Sequence, residues 1–336
     1  MNILVVGPSW VGDTILSQPL LRLLQQTQGA QIDYLAPPWT LPLLARMPEV
    51  RQGINNPFGH GALRIVERRR LGLALRAARY DLAVVLPNSW KSALIPWFAG
   101  IPQRRGFRGE ARWGLINDLR QLDVQALPQM VQRFAALGLP SGSPLPEPLP
   151  RPELQSTAAD REALLARLGL DPQQPAVAFC PGAEYGPAKR WPEAHFAALA
   201  KTLAARGFAV WLVGSPKDEP VAETIRQQSG DACINLCGRT DIAEAADLLA
   251  ASRLVVSNDS GLMHVAAAVG RPLIALYGSS SPRFTPPLGA DVRVLSLSLE
   301  CSPCFERDCP LGHLRCLKEI SPDRVFAEID FAKIGA

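Results

Sequence analysis

A chain of 336 residues with 47% hydrophobic and 20% charged side chains can bury the cores of two ordinary domains and is not a disordered polymer. Its formal net charge of +4 is too mild to argue for nucleic acid, and no run approaches the roughly 20 apolar residues of a membrane span. The start, an apolar strand without a basic lead and long apolar segment, is unlike a secretory signal. The expected compartment is therefore the cytoplasm, where the seven Cys stay reduced unless they hold a metal.

Asn2 to Gly7 reads as a buried parallel strand, and Thr14 to Gln26 carries a helical apolar period. Between them, Gly7-Pro8-Ser9-Trp10-Val11-Gly12-Asp13-Thr14 has the spacing of a phosphate-binding P-loop, but Asp13 stands where the lysine belongs. A carboxylate there would repel phosphate, which argues against that class of nucleotidase. Nor is this the Gly-x-Gly-x-x-Gly dinucleotide fingerprint. Asp13 reads either as a helix N-cap or as a general base at the carboxyl end of the first strand.

Strands at 31–36 and 50–54, a short helix at 41–46, a long basic helix at about 62–79 and a strand at 81–86 follow in alternation. Such alternation implies a parallel sheet covered by helices on both faces. Arg64, Arg68, Arg69, Arg70, Arg76 and Arg79 on the basic helix read as a solvated face. Arg104, Arg105, Arg108 and Arg112, in a Gly-containing loop with Phe107 and Trp113, read instead as a site for an anionic partner, because the guanidinium fork suits phosphate and carboxylate. Residues 139–152 hold too much proline for a helix or central strand and read as a semi-rigid linker. The expected domains are 1–150 and 151–336.

Beyond the linker the alternation restarts, with a helix at 158–168 and a strand at 176–180. Lys189 and Arg190 stand at the next strand-to-helix turn, where they can clamp a diphosphate. Strand 209–213 ends in Gly214-Ser215-Pro216-Lys217-Asp218-Glu219, whose carboxylates can accept ribose hydroxyls; Asp218 or Glu219 is the candidate. A Val-rich strand then gives way to Asn258-Asp259-Ser260-Gly261-Leu262-Met263-His264 and an Ala-rich helix closed by Gly270 and Pro272. Its N-terminus, with small residues Ser260 and Gly261, is a ready anion cradle. Asp259 is placed to accept sugar hydroxyls, and His264 lies one turn in. Gly278-Ser279-Ser280-Ser281 forms another loop on the same edge. Cys301, Cys304, Cys309, His313 and Cys316 have partial metal-knuckle spacing, leaving open a structural zinc site, reduced core thiols or a disulfide. Residues 321–334 read as a closing helix. No Asp-x-Asp triad is present, so a departing diphosphate would have to be stabilised by cationic side chains and helix N-termini.

Residues 7–13, 86–93 (Leu-Pro-Asn-Ser-Trp-Lys-Ser-Ala), 186–192 (Gly-Pro-Ala-Lys-Arg-Trp-Pro) and 258–268 (Asn-Asp-Ser-Gly-Leu-Met-His-Val-Ala-Ala-Ala) together closely resemble the motifs of the ADP-heptose:lipopolysaccharide heptosyltransferases, in the same order and almost end to end. The Cys-rich segment lies outside those motifs. The resemblance implies an α/β GT-B architecture: two Rossmann-like lobes with parallel sheets facing across a cleft, the last helix returning to the N-terminal lobe. It implies an inverting transfer of L-glycero-D-manno-heptose from ADP-heptose with no cofactor and no metal. Asp13 would be the base. Lys189, Arg190, Asp259, Ser260, Gly261, Leu262, His264 and Glu219 would hold the donor. Ser9, Trp10, Gly12, Lys91, Arg105 and Arg108 would hold the acceptor, a heptosyl-Kdo-lipid A or, for the other inner-core member, Kdo-lipid A. Such an acceptor places the enzyme peripherally at the inner membrane. A nucleotide-sugar 2-epimerase or a two-lobed solute-binding protein are the rival readings.

Overall fold

The computed structural model describes residues 1–59 and 61–335. The chain divides into two compact units, Met1–Pro152 and Glu153–Ala336. In the first, Asn2–Val6 (β1), Gln31–Ala36 (β2), Val50–Asn55 (β3), Leu82–Val85 (β4), Gln103–Phe107 (β5) and Asp118–Arg120 (β6) form one sheet in the order β3-β2-β1-β4-β5-β6. In the second, Ala176–Cys180 (β7), Ala209–Leu212 (β8), Ile234–Asn235 (β9), Leu254–Asn258 (β10), Leu273–Leu276 (β11) and Val292–Leu295 (β12) form the order β12-β11-β10-β7-β8-β9. Renumbered from its own first strand, the second order is the mirror listing of the first, so the two units share one doubly wound topology. All pairings are parallel.

Central strands such as β4 (Leu-Ala-Val-Val) and β7 (Ala-Val-Ala-Phe-Cys) are buried at every residue. That is the signature of sheets covered on both faces, and it explains why these strands read as unbroken apolar runs rather than alternations. Val177, Phe179, Trp191, Phe196 and Leu212 anchor the core of the second unit; Leu4, Val6, Ala83, Val85 and Ile95 anchor one core of the first.

Several sequence expectations are corrected. The helix after β1 is two helices, Val11–Leu16 (α1) and Gln18–Gln28 (α2). Pro19 starts the second, since it has no N–H to continue the ladder and its fixed φ suits a first turn. The basic helix is shorter, Ile65–Leu75 followed by a 3-10 turn, and Arg68 is buried rather than solvated. Its guanidinium lies 4.3 Å from the centre of the Phe58 ring and donates to the carbonyls of Ala62 and Leu63. The Pro-rich segment is not a free linker. Leu139, Leu145 and Leu149 pack with Leu23 and Ala135, and residues 140–147 help line a cavity of about 600 Å³ within the first unit. The closing helix is broken into Pro322–Ala327 and Phe331–Ile334, capped by Ser321 and Asp330. Phe331 and Ile334 pack in the core of the second unit, with Phe331 against Phe208 and Phe326, so apolar burial there holds the final turn.

Candidate active site

In a doubly wound sheet, ligands bind beyond the carboxyl ends of the strands at the point where the strand order reverses. In the first unit that point lies between β1 and β4, and the two loops flanking it are residues 7–13 and 86–93. Gly7 opens the first loop because no side chain fits: a Cβ there would overlap the Tyr34 ring. The Tyr34 hydroxyl pairs with Ser17 Oγ at 2.8 Å, pinning β2 to the α1–α2 break. Asp13 is the half-buried third residue of α1, in its first turn. It is not the N-cap, which is Trp10. Burial pushes the Tyr34 phenol up, and the Asp13 charge adds to that shift, so the carboxylate lies within electrostatic reach of the Tyr34–Ser17 pair. Ser9 is half-buried, Gly12 buried and Trp10 exposed. Trp39 Nε1 donates to the Ser9 carbonyl at 2.9 Å.

Lys91 sits half-buried in the 3-10 turn Trp90–Ala93 after β4. The loop after β5 is pinned to this turn: Glu110 Oε2 accepts from Trp90 N–H, and Glu110 N–H donates to the Asn88 carbonyl. Arg108 is exposed on that pinned loop. Its neighbours contradict the reading of the Arg cluster as an anion site. Arg104 and Arg105 are strand residues of β5. Arg105 is buried and donates to Asp118 Oδ2 at 2.6 Å and to the Leu137 carbonyl at 2.9 Å. Burial alone would raise the Asp118 carboxyl, but hydrogen bonds from Arg120 and Arg105 outweigh it and hold it low. Arg104 donates to the Leu115 carbonyl at 2.6 Å. Arg112, only 1% exposed, donates to the carbonyls of Pro87 and Phe107 and to Asn88 Oδ1. These three guanidiniums fasten backbone together, leaving Arg108 as the one turned to solvent.

In the second unit the strand order reverses between β7 and β10, and the flanking loops carry Lys189 and Asp259. Asn258 joins them: its Oδ1 accepts from Trp191 N–H at 3.0 Å and its Nδ2 donates to the Pro181 carbonyl at 2.7 Å. Lys189 Nζ meets Asp259 Oδ2 at 2.6 Å, with both side chains largely buried. The same oxygen accepts from Ser280 Oγ. The two expected donor contacts are thus partners in one ion pair. A diphosphate reaching Lys189 has to share or replace the carboxylate, which leaves Asp259 able to accept from a sugar hydroxyl.

Helix Gly261–Ala268 starts beside this pair. Ser260 is its N-cap but makes no side-chain cap, and Ser260, Gly261 and Leu262 are half-exposed. Their end of the helix dipole favours an anion. His264 is buried, and burial lowers it to about 4, with the Asp259 charge opposing and the Lys189 charge assisting that shift. It is therefore neutral at neutral pH. Its Nδ1 and the Ser279 hydroxyl are buried without a hydrogen-bond partner among the described residues of the protein, so both have bonding capacity left over for a bound molecule. Arg190 is half-buried, and its Nε lacks a partner too. Of the two ribose candidates, Asp218 is consumed locally: its Oδ2 accepts from Ser215 N–H and Oγ at 2.9 and 2.7 Å. Glu219 is exposed at the start of helix Glu219–Gln228. Ser280 and Asn258 were not assigned roles from sequence. Asn258 ends β10 and Ser280 follows the neighbouring β11, and this shared carboxyl edge of the sheet is the signal that could have found them.

The Cys-rich loop belongs to this neighbourhood. Tyr185 hydroxyl donates to the Phe305 carbonyl at 2.6 Å, Ala188 N–H to the Arg307 carbonyl at 2.9 Å, and Ser302 Oγ to the Gly278 carbonyl at 2.6 Å. All seven cysteines are free thiols. Backbone N–H groups of Leu314, Leu311, His313 and Gly312 pull the Cys309 thiol down, while burial and the sulfurs of Cys309, Cys301 and Cys304 push Cys316 up. Among the described residues no three His, Cys, Asp or Glu side chains are arranged to hold a metal ion. Nor is any described helix long and apolar enough to cross a membrane.

Residues 68–315 match the family model described as glycosyltransferase family 9 (heptosyltransferase). The chain is 50% identical to lipopolysaccharide heptosyltransferase 2 of Escherichia coli, covering 98% of each chain. It is 30% identical to lipopolysaccharide heptosyltransferase 1 of Pseudomonas aeruginosa, covering 98% of this chain and 97% of that one. The solved structure of E. coli ADP-heptose LPS heptosyltransferase II superposes with a TM-score of 0.89 at 48% identity, covering 99% of this chain and 98% of that one.

Proposed function

Because the chain belongs to glycosyltransferase family 9, the heptosyltransferases, and has their GT-B fold, we propose that it transfers L-glycero-D-manno-heptose from ADP-heptose to heptosyl-Kdo-lipid A in lipopolysaccharide core biosynthesis. The second-heptose acceptor is preferred because identity is 50% to a type 2 relative and 30% to a type 1 relative, each over nearly the whole chain. The observation that carries the donor assignment is the cradle at the β7/β10 reversal: Lys189, Asp259 and a helix N-terminus, with His264 Nδ1 and Ser279 Oγ buried and unpartnered.

In this reading the C-terminal unit holds the donor and the N-terminal unit the acceptor. Asp13 takes the proton from the attacking acceptor hydroxyl. The hydroxyl oxygen bonds to the anomeric carbon as the bond to the β-phosphate oxygen breaks, and ADP leaves with that electron pair. A single displacement inverts the anomeric centre and needs the base and the leaving-group stabiliser on opposite sides of it. Lys189 and the N–H groups of Ser260, Gly261 and Leu262 take the developing diphosphate charge. Asp259 and His264 orient the heptose, Arg190 borders the diphosphate, and Glu219 takes the ribose. Ser9, Trp10, Gly12, Lys91 and Arg108 face the acceptor; Arg105 is withdrawn from that set.

With Lys189 and the helix end neutralising the leaving group, no metal is required. Dialysis against EDTA should leave kcat unchanged, and a loss restored by added divalent metal would contradict this. The lipid-borne acceptor calls for peripheral contact with the cytoplasmic face of the inner membrane. Support comes from Ile65 and Val66, 45% and 69% exposed beside exposed Arg69 and Arg70 on helix Ile65–Leu75, a pattern suited to an anionic lipid surface. The test of the whole reading is ADP release from ADP-heptose. It should be negligible without acceptor and faster with heptosyl-Kdo-lipid A than with Kdo-lipid A. Altered heptose appearing with donor alone would favour a 2-epimerase instead.

A further inference from the structure

The Cys-rich loop has no part in the family motifs, yet it is fastened to the lysine turn of the donor cradle. Its backbone passes so close to Gly186 that a Cβ there would lie 2.5 Å from the Arg307 carbonyl oxygen. That close approach, with the Ala188-to-Arg307 and Tyr185-to-Phe305 hydrogen bonds, fixes the loop relative to Lys189. The same loop holds the turn after β11 through Ser302 Oγ to Gly278 O and Phe305 N–H to Ser279 O, next to Ser280, the hydroxyl on Asp259.

This fastening sets a second cation beside the first. The Lys189 ammonium lies 5.0 Å, and the Arg307 guanidinium 5.3 Å, from the centre of the Tyr185 ring. The two charges are therefore at most about 10 Å apart, comparable to the Debye length of about 10 Å at 0.1 M salt. They differ in how they are balanced. Lys189 is paired with Asp259, and the nearby Glu184 is engaged by Lys217 at 2.6 Å. Arg307 is exposed, and among the described residues it makes no ion pair. Glu306 and Asp308 flank Arg307 in the chain and are exposed, but neither is ion-paired with it among the described residues, so the guanidinium is open to an anion that reaches Lys189. A planar fork is also the better shape for straddling phosphate oxygens than an ammonium.

We propose that Arg307 is a second cation for the nucleoside diphosphate, with Tyr185 and Gly186 as positioning residues that hold it beside Lys189. This rests on the C-terminal unit being the donor site. The β-phosphate charge would then be divided between Lys189 and Arg307, the arginine being carried by a loop held through Tyr185, Ala188 and the turn after β11.

The test is calorimetric binding of ADP and of adenosine to wild type, Arg307→Ala, Arg307→Lys, Gly186→Ala and Lys189→Ala, with thermal unfolding of each. Arg307→Ala should bind ADP about tenfold more weakly, as loss of one charge-assisted contact does, with adenosine binding unchanged. Arg307→Lys should recover part of the loss, and Gly186→Ala should weaken ADP with no charge removed. If Arg307→Ala binds ADP like wild type while Lys189→Ala does not, Arg307 is excluded and the donor site stands. If adenosine weakens as much as ADP, the loop is only a structural support and the proposal fails. Wild type that binds no ADP would overturn the donor assignment itself.

Discussion

Single residues decide the chemistry. In the proposed mechanism Lys189 acts on bound donor and departing ADP alike, so Lys189→Ala should raise KM for ADP-heptose and lower kcat together; wild-type values for both would contradict the clamp. His264 gives a pH signature. Its imidazole is held at about 4 in the fold against about 6.5 when unfolded. Below pH 6.5 the unfolded chain takes the proton first, so the stability contributed by the neutral imidazole is intact above that pH. It is lost progressively down to pH 4, by up to about 3 kcal/mol. Denaturant unfolding at pH 8 and pH 4.5 should therefore show a smaller acid loss in His264→Gln than in wild type. Equal losses would show that His264 titrates normally. Sequence made Asp13, Lys189, Asp259 and His264 visible, because each stands where an apolar strand yields to a helix. It could not show that Lys189 and Asp259 are partners, nor that Arg105 and Arg112 are buried. Which arginine of a cluster points inward depends on strand register, here Arg105 opposite Asp118, and register is not written in composition.

At the level of elements, strand 31–36, helix 158–168 and strand 176–180 are read from sequence to the residue, as strongly apolar or well-capped segments should be. The misread segments share a cause. Pro19 lies within one continuous apolar period, yet its missing N–H marks the first turn of a second helix, and Asp330 likewise caps a new turn inside an apolar period. Both are punctuation overridden by a continuous apolar period. The junction of β1 and α1 is the element on which the proposed base, Asp13, depends. Gly7→Ala, which would drive a methyl into the buried Tyr34 ring, should lower stability by about 1–3 kcal/mol and reduce kcat by displacing the Asp13 turn. Replacing Tyr34 with Leu in the same protein should recover much of the stability. An unaltered unfolding midpoint in Gly7→Ala would contradict the packing.

On the scale of the whole molecule, one topology is used twice, and in each copy the functional loops flank the reversal of strand order. The alternation of strands and helices predicts two such sheets; their identical order emerges only from pairing, which no single-sequence pattern specifies. In the proposed mechanism this repetition divides the reaction, one unit supplying a carboxylate and the other an anion cradle. The direct measurement is the Asp13→Ala variant, assayed for transfer from ADP-heptose to heptosyl-Kdo-lipid A and for ADP binding. Loss of the base should cut kcat on the order of a hundredfold or more, while the dissociation constant for ADP stays at the wild-type value. Wild-type turnover in that variant, or a loss of ADP binding that accounts for the slower rate, would contradict the division of labour.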